Sequence, residues 1–191
     1  MVRFRLALTA ACLCVASLAS AQSPFFGVGM LTPYIGASAG GDVQGSAVTG
    51  GVSMAALDGS GLGAEIDLGH TREIDDSRFS SSAITSFTVN AIGMWQVPVA
   101  RRVLRPFVAA GVGLLRVRAE LPDTGLVTSR TDWAFDAGGG VIYMFNELVG
   151  VRGDVRYFRY FERFDDLPLR DNGFFDYWRT TVGVTFAWPI R

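Results

Sequence analysis

Polar and apolar residues alternate one by one along much of this chain, which is the pattern of β-strands that separate two environments. In the segment 148–161, Arg152, Asp154 and Arg156 share one face, and Val155 lies on the other. Beyond an apolar N-terminal stretch, no segment keeps a helical period, so an all-β chain is predicted. Strands are predicted at about residues 31–40, 47–57, 62–70, 83–97, 105–118, 132–145, 148–161 and 176–188.

The connections between these strands alternate in length. Short turns are predicted at 58–61, 98–104 and 146–147, and longer polar loops fall between them. The long connections are 71–82, 119–131 and 162–175, with a shorter one at 41–46. Membrane barrels place short turns in the periplasm and long loops outside. The alternation therefore predicts an eight-stranded antiparallel up-and-down transmembrane β-barrel.

Two observations indicate that the apolar face meets lipid. A soluble barrel needs an outer surface of roughly 25–35% charged residues, yet the stretch from Ala83 to Ala100 carries no charge. The polar face is also rich in Gly, Ser and Thr, which would fill a dry lumen poorly. The polar face is therefore predicted to line the interior.

The charged residues at inward-facing strand positions are the strongest candidates for a functional site. An eight-stranded barrel has an interior just wide enough for side chains to fill, and buried charges must be paired and hydrogen-bonded. We expect an interlocked salt-bridge network that plugs the interior. A narrow proton or ion path is the alternative. The set is Glu65, Asp67, Asp136, Arg152, Asp154, Arg156 and Arg179.

Aromatic residues cluster near the predicted strand ends, as the two membrane interfaces favour. They are predicted to form two bands of rings in contact with the interfaces. The short-turn band contains Trp95, Phe107, Phe145 and Trp188. The long-loop band contains Trp133, Tyr157, Tyr177 and Trp178.

The N-terminus has the layout of a cleaved secretory signal. Arg3 and Arg5 precede an apolar run, Leu6 to Leu18, that is shorter than the roughly 20 residues a helical span needs. Cleavage is predicted after Ala21, which leaves residues 22–191 as the barrel domain. An uncleaved anchor and a lipoprotein signal at Cys12 are the alternatives.

The last predicted strand carries Thr181, Gly183, Phe186 and Trp188, a spacing that resembles the C-terminal signal read by the machinery that assembles outer-membrane β-barrels. The chain also resembles the small eight-stranded outer-membrane barrels, similar to the transmembrane domain of outer-membrane protein A and to opacity-type proteins. The matching segments are 32–37, 105–113, 151–157 and 183–188. The resemblance implies an outer-membrane location and a salt-bridged interior. Unlike the common family pattern, Pro189, Ile190 and Arg191 follow the last aromatic residue.

Candidate catalytic chemistry is sparse. His70, the only histidine, lies near Glu73 and the run Ser80, Ser81 and Ser82, which leaves a lipid A-modifying enzyme as an alternative. The sequence offers no metal-ligand spacing. We therefore expect no cofactor and a structural or surface-interaction role without enzymatic activity.

Expected partners follow from location and charge. They are outer-membrane lipid and lipopolysaccharide, the β-barrel assembly machinery, and a possible surface ligand of the loops. Arginines at the outer rim suit lipopolysaccharide phosphates because a guanidinium binds phosphate in bidentate geometry. After the predicted cleavage, 15 of the 17 basic residues remain against 18 acidic ones, with no clustered positive face of the kind nucleic acid requires. The rim arginines are Arg72, Arg78, Arg118, Arg130, Arg163 and Arg170.

Overall fold

A computed structural model describes residues 27–41, 43–72, 81–99, 102–120, 127–161 and 175–190. The predicted signal segment therefore lies outside the described residues. Within the described ranges, no helix is long and apolar enough to cross a membrane. The strands are β1 (Gly27–Gly40), β2 (Val43–Leu57), β3 (Leu62–Arg72), β4 (Ser81–Met94), β5 (Val97–Val99), β6 (Arg102–Glu120), β7 (Val127–Met144), β8 (Val149–Tyr160) and β9 (Asp176–Ile190).

Every strand pairs antiparallel with its neighbours, and the sheet closes on itself. The order is β4-β3-β2-β1-β9-β8-β7-β6, and β4 also pairs with β6. The three-residue β5 continues β4 along the same partner, β6, after a break at Trp95 and Gln96. The predicted eight-stranded antiparallel barrel is confirmed.

Several predicted connections are shorter than expected, because β5 and the start of β6 occupy most of the predicted turn 98–104, and β2 and β7 begin before the predicted residues. The turn between β1 and β2 is confined to residues 41–42, because β2 begins at Val43 and not near residue 47. Gly40 and Gly41 have φ values of 76° and 61°, a left-handed conformation that glycine adopts without a steric cost. These two glycines permit a tight hairpin at the end of the barrel where the other connections are long.

Burial alternates along the strands, as the side-chain period of two requires. In β3, Glu65, Asp67, Gly69 and Thr71 are buried, while the residues that alternate with them, from Ala64 to Arg72, are exposed. Large apolar side chains such as Ile35 and Val182 are exposed on the outer face. The outside of the barrel is therefore the apolar face.

The interior differs from the expected polar lining, because clusters of apolar side chains lie on both sides of its charged residues. A short-turn apolar layer lies at one end of the interior, and a long-loop apolar layer lies at the other. The short-turn layer contains Met30, Ala55, Leu57, Ile92, Met94, Phe107, Ala109, Ile142, Met144 and Ala187. The long-loop layer contains Val43, Ala47, Ile84, Leu115, Ala134, Phe158, Tyr160, Phe175 and Tyr177.

Candidate functional site: the charged layer of the interior

The seven charged residues predicted for the interior all lie inside the barrel, between the two apolar layers. Each side chain is buried, and Glu65 and Arg156 have no exposed surface. The carboxylates come from β3, β7 and β8, and the guanidinium groups come from β8 and β9. This charged layer comprises Glu65, Asp67, Asp136, Arg152, Asp154, Arg156 and Arg179.

Glu65 is the centre of the layer, because two arginines from the opposite wall share its carboxylate. Arg152 donates to Glu65 Oε2 at 2.6 Å, and Arg156 donates to Glu65 Oε1. Strand β3 lies four places from β8 in both directions around the ring, so these ion pairs span the lumen. Charge-assisted bonds of this kind are the strong ones in a protein interior.

Two carboxylates on the wall opposite β3, Asp154 of β8 and Asp136 of β7, also bind these arginines. Asp154 accepts from Arg152 Nη2 at 2.8 Å and from Thr181 Oγ1 at 3.0 Å. Asp136 of β7 accepts from Arg156 Nη1 at 3.3 Å. Arg156 therefore bonds carboxylates on three elements, which ties β3, β7 and β8 together through one side chain.

A separate ion pair joins Arg179 of β9 to Asp67 of β3 at 2.8 Å. Its guanidinium carbon lies 5.1 Å from the centre of the Tyr34 ring and 4.7 Å from that of Phe158. Both distances are within the range of a cation–π contact. The Tyr34 hydroxyl lies 3.2 Å from Asp67 Oδ1 and 3.1 Å from the Leu68 carbonyl oxygen.

Sequence reasoning missed Tyr34 as a site residue, although its inward parity could have identified it. Glycine faces it on both neighbouring strands, Gly51 of β2 and Gly183 of β9. A Cβ atom on Gly183 would lie 2.9 Å from the Tyr34 Cβ, and one on Gly51 would meet the Tyr34 ring carbon Cζ at 2.5 Å. The two glycines therefore make the room in which the ring crosses to Asp67. Gly183 of the predicted assembly signal thus has a local packing role.

The placement predicted for Phe107 is wrong. Its ring is 2% exposed and lies in the short-turn apolar layer, with the Arg152 guanidinium 4.2 Å from its centre. Phe107 shares its face of β6 with buried Ala109, and that parity decides its direction whatever the residue type. Tyr177 is likewise inward, stacked on Phe158 with 4.9 Å between ring centres.

The other predicted interface aromatics lie on the outer wall. Trp178 packs on Tyr157 with ring centres 5.1 Å apart, and the Tyr157 hydroxyl donates to Asp176 at 2.6 Å. Tyr157 is half-buried by these contacts. The exposed rings are Trp95, Trp133, Phe145, Trp178 and Trp188.

A cavity of about 170 Å³ opens at the short-turn end, beside the interior but away from the charged layer. Met30, Leu57 and Met94 line it, together with Arg105, which the sequence had not assigned to the interior. Arg105 makes no ion pair with any described residue. Its Nε atom is buried and has no hydrogen-bond partner among the described residues, which is costly for a polar group away from water.

The residues of the enzyme alternative are not brought together in the described part of the chain. His70 Nδ1 is hydrogen-bonded to Thr85 Oγ1 at 3.0 Å on the outer wall, whereas Ser82 is buried inside. Ser81 lies four residues beyond Thr85, about 13 Å along the strand. Glu73 and Ser80 lie outside the described residues, as do Arg78, Arg163 and Arg170 of the outer rim. Among the described side chains, no group of three His, Cys, Asp or Glu residues is arranged to hold a metal.

Comparisons with known proteins agree with this architecture. The family model for the outer membrane protein beta-barrel domain matches residues 6–188. The N-terminal β-barrel domain of Pseudomonas aeruginosa OprF is 16% identical and has a TM-score of 0.55, covering 85% of this chain and 99% of that chain. Neisserial surface protein A is 13% identical with a TM-score of 0.57, covering 88% and 98%. Pseudomonas aeruginosa OprG is 11% identical with a TM-score of 0.59, covering 87% and 98%.

No curated protein matches the chain. The family match spans all nine strands except the last two residues of β9, and the solved structures share the fold over most of this chain's length. The predicted resemblance to small outer-membrane barrels and the predicted location are both confirmed. The chain belongs to the outer membrane protein β-barrel domain family and is a protein of the bacterial outer membrane.

Proposed function

We propose that this protein is a structural barrel with a lumen closed to ions, which holds its long-loop connections at the cell surface as an interaction scaffold. One observation carries the proposal. Glu65 on β3 is bound by both Arg152 and Arg156 from the opposite strand β8, so paired charges bridge the whole width of the lumen.

The layers on either side of the bridge support closure. Phe107 and Met94 belong to the short-turn apolar layer, and Phe158 and Tyr177 belong to the long-loop apolar layer. An ion would have to lose its water in both apolar layers and displace guanidinium groups from buried carboxylates. Each step is costly, because desolvating a charge is repaid only by well-placed partners.

Planar-bilayer recording tests closure. We expect the purified, refolded barrel to give no reproducible current steps above those of the lipid alone. The same sample must show a faster-migrating folded band on an unheated detergent gel, so that a silent bilayer reports a closed barrel and not an unfolded one. A porin of known conductance serves as the positive control.

Reproducible current steps that change in Arg152→Ala would contradict the proposal and support the ion path. Arg152 is the suitable probe because it contacts Glu65, Asp154 and the Phe107 ring. Its removal therefore alters both the charged layer and the short-turn apolar layer. An unchanged silent bilayer with a folded control band supports closure.

The enzyme alternative has its own test. His70 contacts Thr85, no described acid lies on the same face of its hairpin with β4, and Ser81 is four residues along β4 from Thr85. We expect cells that carry His70→Ala to have the lipid A profile of cells that carry the wild-type protein. A changed profile by mass spectrometry would replace the structural role with a catalytic one.

A further inference from the structure

The charged layer contains one more carboxyl group than it has guanidinium groups. Glu65, Asp67, Asp136 and Asp154 carry the carboxyl groups, and the other three members are arginines. None of the seven residues is more than 7% exposed. Arg105 is a further inward arginine, but it opens onto the cavity at the short-turn end and makes no ion pair with a described residue. A fully ionised layer would therefore hold one unmatched negative charge away from water, which is very costly.

Asp136 has the weakest bonding of the four carboxyl groups. Its ion pair is the 3.3 Å contact from Arg156 to Oδ2, and Arg156 also binds Glu65. Its second oxygen, Oδ1, is buried and has no hydrogen-bond partner among the described residues. Each of the other three carboxylates has an ion pair of 2.8 Å or shorter. The unmatched carboxyl group of the layer is therefore Asp136.

A second buried oxygen without a partner lies beside Asp136. Asn90 of β4 is 1% exposed, and its amide nitrogen donates to Thr88 Oγ1 at 3.2 Å. Its Oδ1 has no hydrogen-bond partner among the described residues. The register places Asn90 and Asp136 on either side of Gly111 of β6. A Cβ atom on Gly111 would lie 2.1 Å from Asn90 Oδ1, so this oxygen reaches over the glycine toward Asp136.

One proton would satisfy both oxygens and balance the charge. An ionised carboxylate and an amide oxygen only accept hydrogen bonds, so neither can serve the other. A proton on Asp136 Oδ1 provides the missing donor and leaves three carboxylates against three guanidinium groups. A hard metal cation fits less well, because it takes about six oxygen ligands. Among the described side chains, no group of three His, Cys, Asp or Glu residues is arranged to hold one.

We propose that the charged layer binds one buried proton, which Asp136 Oδ1 carries and donates to Asn90 Oδ1, while Asp136 Oδ2 accepts from Arg156. A carboxylic acid has the one donor and the acceptor that this arrangement requires. The proposal concerns a proton fixed at one site and not a path for protons. It is therefore independent of the closed lumen.

The groups around Asp136 leave the proton without a substitute. Strands β4 and β6 face Asp136 with Asn90 and Gly111, which do not titrate. Arg156 and Arg179 each already bind another carboxylate. The charged and titratable groups that face Asp136 from β3, β8 and β9 are Glu65, Asp67, Asp154, Arg156, Tyr177 and Arg179.

The bound proton should make the stability of the barrel depend on pH. In the unfolded chain, Asp136 meets water and ionises above about pH 4. At pH 7 the folded barrel then binds one more proton than the unfolded chain, so the contribution of this site to the free energy of unfolding falls as pH rises. Asp136→Asn removes this dependence, because the new amide can donate to Asn90 and accept from Arg156 without taking up a proton.

Infrared spectroscopy of the folded barrel at pH 7 tests the proton directly. A protonated carboxyl group has a carbonyl stretch that an ionised carboxylate lacks, and a detergent without carbonyl groups keeps that region of the spectrum clear. We expect the wild type to show this infrared band, Asp136→Asn to lose it, and Asp132→Asn to keep it. Asp132 is the matched control, because its ion pair with Arg130 lies outside the charged layer. A wild type without the band, or a band that survives in Asp136→Asn, would overturn the proposal.

Urea titration gives a second readout with a definite sign. At pH 7 the urea midpoint of Asp136→Asn should be higher than that of the wild type, and the difference should disappear near pH 4. Asp67→Asn is the matched control, since it leaves Arg179 without its ion pair and should lower the midpoint at pH 7. A lower midpoint for Asp136→Asn at pH 7 would mean that an ionised Asp136 binds Arg156, and would overturn the proposal. Each variant is first checked for the faster-migrating folded form on an unheated gel.

A salt comparison needs only the wild-type barrel, so it decides the question if Asp136→Asn does not fold. The infrared band should be the same in sodium chloride and in choline chloride of equal ionic strength. A band that is lost in sodium chloride would assign the site to a sodium ion. A band that is absent in both salts would mean that Asp136 is ionised and that Asn90 turns its amide nitrogen toward it. Either result would overturn the proposal, whereas a conducting lumen together with the band would contradict only the closed-barrel function.

Discussion

At the scale of single residues, Glu65 is the carboxylate that links β3 to two arginines of the opposite strand, β8. Its carboxylate is fully buried and accepts from two arginines. Removing one member of a buried ion pair is far more costly than forming the pair is favourable, because the remaining charge stays desolvated. The residue therefore offers a sharp test of how the interior is held together.

Glu65→Gln keeps the side-chain shape but leaves Arg152 and Arg156 with one fewer carboxylate. We expect the free energy of unfolding to fall by about 3–5 kcal/mol, measured by urea titration of the folded barrel in detergent. Asp132→Asn is the control, because it breaks the more exposed pair with Arg130 and should cost about 0–1 kcal/mol. Equal losses in the two variants would contradict a tightly coupled charged layer.

Gly183→Ala should lower stability by about 1–3 kcal/mol, because the added methyl group meets Tyr34 and the Pro33 carbonyl oxygen. Gly153→Ala on the neighbouring strand is the control, since a Cβ there meets nothing within 4 Å. Urea titration also decides the mechanism. In a Tyr34→Gly background, which removes the Tyr34 Cβ that the added methyl group meets, the loss caused by Gly183→Ala should shrink, and an undiminished loss would show that Tyr34 is not the residue displaced.

At the scale of elements, the hairpins at the short-turn end are closed by side-chain acceptors. Asp58 Oδ1 accepts from Ser60 Oγ at 2.6 Å, the Ser60 amide at 2.8 Å and the Leu62 amide at 3.1 Å. These bonds, with the Ser60 side chain first, hold the pKa of Asp58 below its usual value. In the hairpin between β7 and β8, Asn146 Oδ1 accepts from the Leu148 and Val149 amides.

The stabilising effect of Asp58 should therefore depend on pH. A carboxyl group with a lowered folded pKa contributes stability above its unfolded pKa and loses it as pH falls through the folded value. Asp58→Asn should be less stable than the wild type at pH 7, and the difference should shrink below about pH 4. Asn146→Ala, which removes a neutral acceptor, should have the same effect at both pH values. A pH-independent Asp58→Asn difference in urea titrations would contradict this role.

At the scale of the whole molecule, the barrel closes where the first strand, β1, pairs with the last strand, β9. Trp188 lies across Gly29 at this seam, and the closing strand also carries Phe186 on its outer face. A closed antiparallel ring leaves no unpaired edge, so it unfolds as a unit. The folded barrel should migrate faster than the boiled chain on detergent gels of outer-membrane fractions.

The closing strand also allows recognition by the assembly machinery to be separated from folding. We expect the double substitution Phe186→Ala and Trp188→Ala to lower the amount of protein in the outer membrane several-fold. Refolding of the same variant in detergent should stay near the wild-type yield, because both side chains face outward. Trp178→Ala, at the opposite end of the same strand, should leave the cellular amount unchanged. Equal losses in cells and in detergent would mean a folding defect and not lost recognition.

The sequence by itself determined the period of two, the number of strands and the face on which the seven charges of the charged layer lie. Arg152, Asp154 and Arg156 alternate with Val151, Gly153 and Val155, and this local pattern needs no knowledge of neighbouring strands to place the charges inside. The alternation of faces also gives the correct side for Phe107, whereas its residue type does not. Phe107 faces inward with Ala109, although aromatic residues near strand ends favour the membrane interface.

Only the tertiary structure decided which inward groups meet. Glu65 finds Arg152 and Arg156 because closure sets β3 opposite β8, and no local pattern encodes that distance. The same closure brings Arg72 and Arg118 to either side of Ala83 from segments far apart in the chain. Alternation depends on adjacent residues, whereas contacts across a lumen or along a wall depend on the register and stagger of every strand between them.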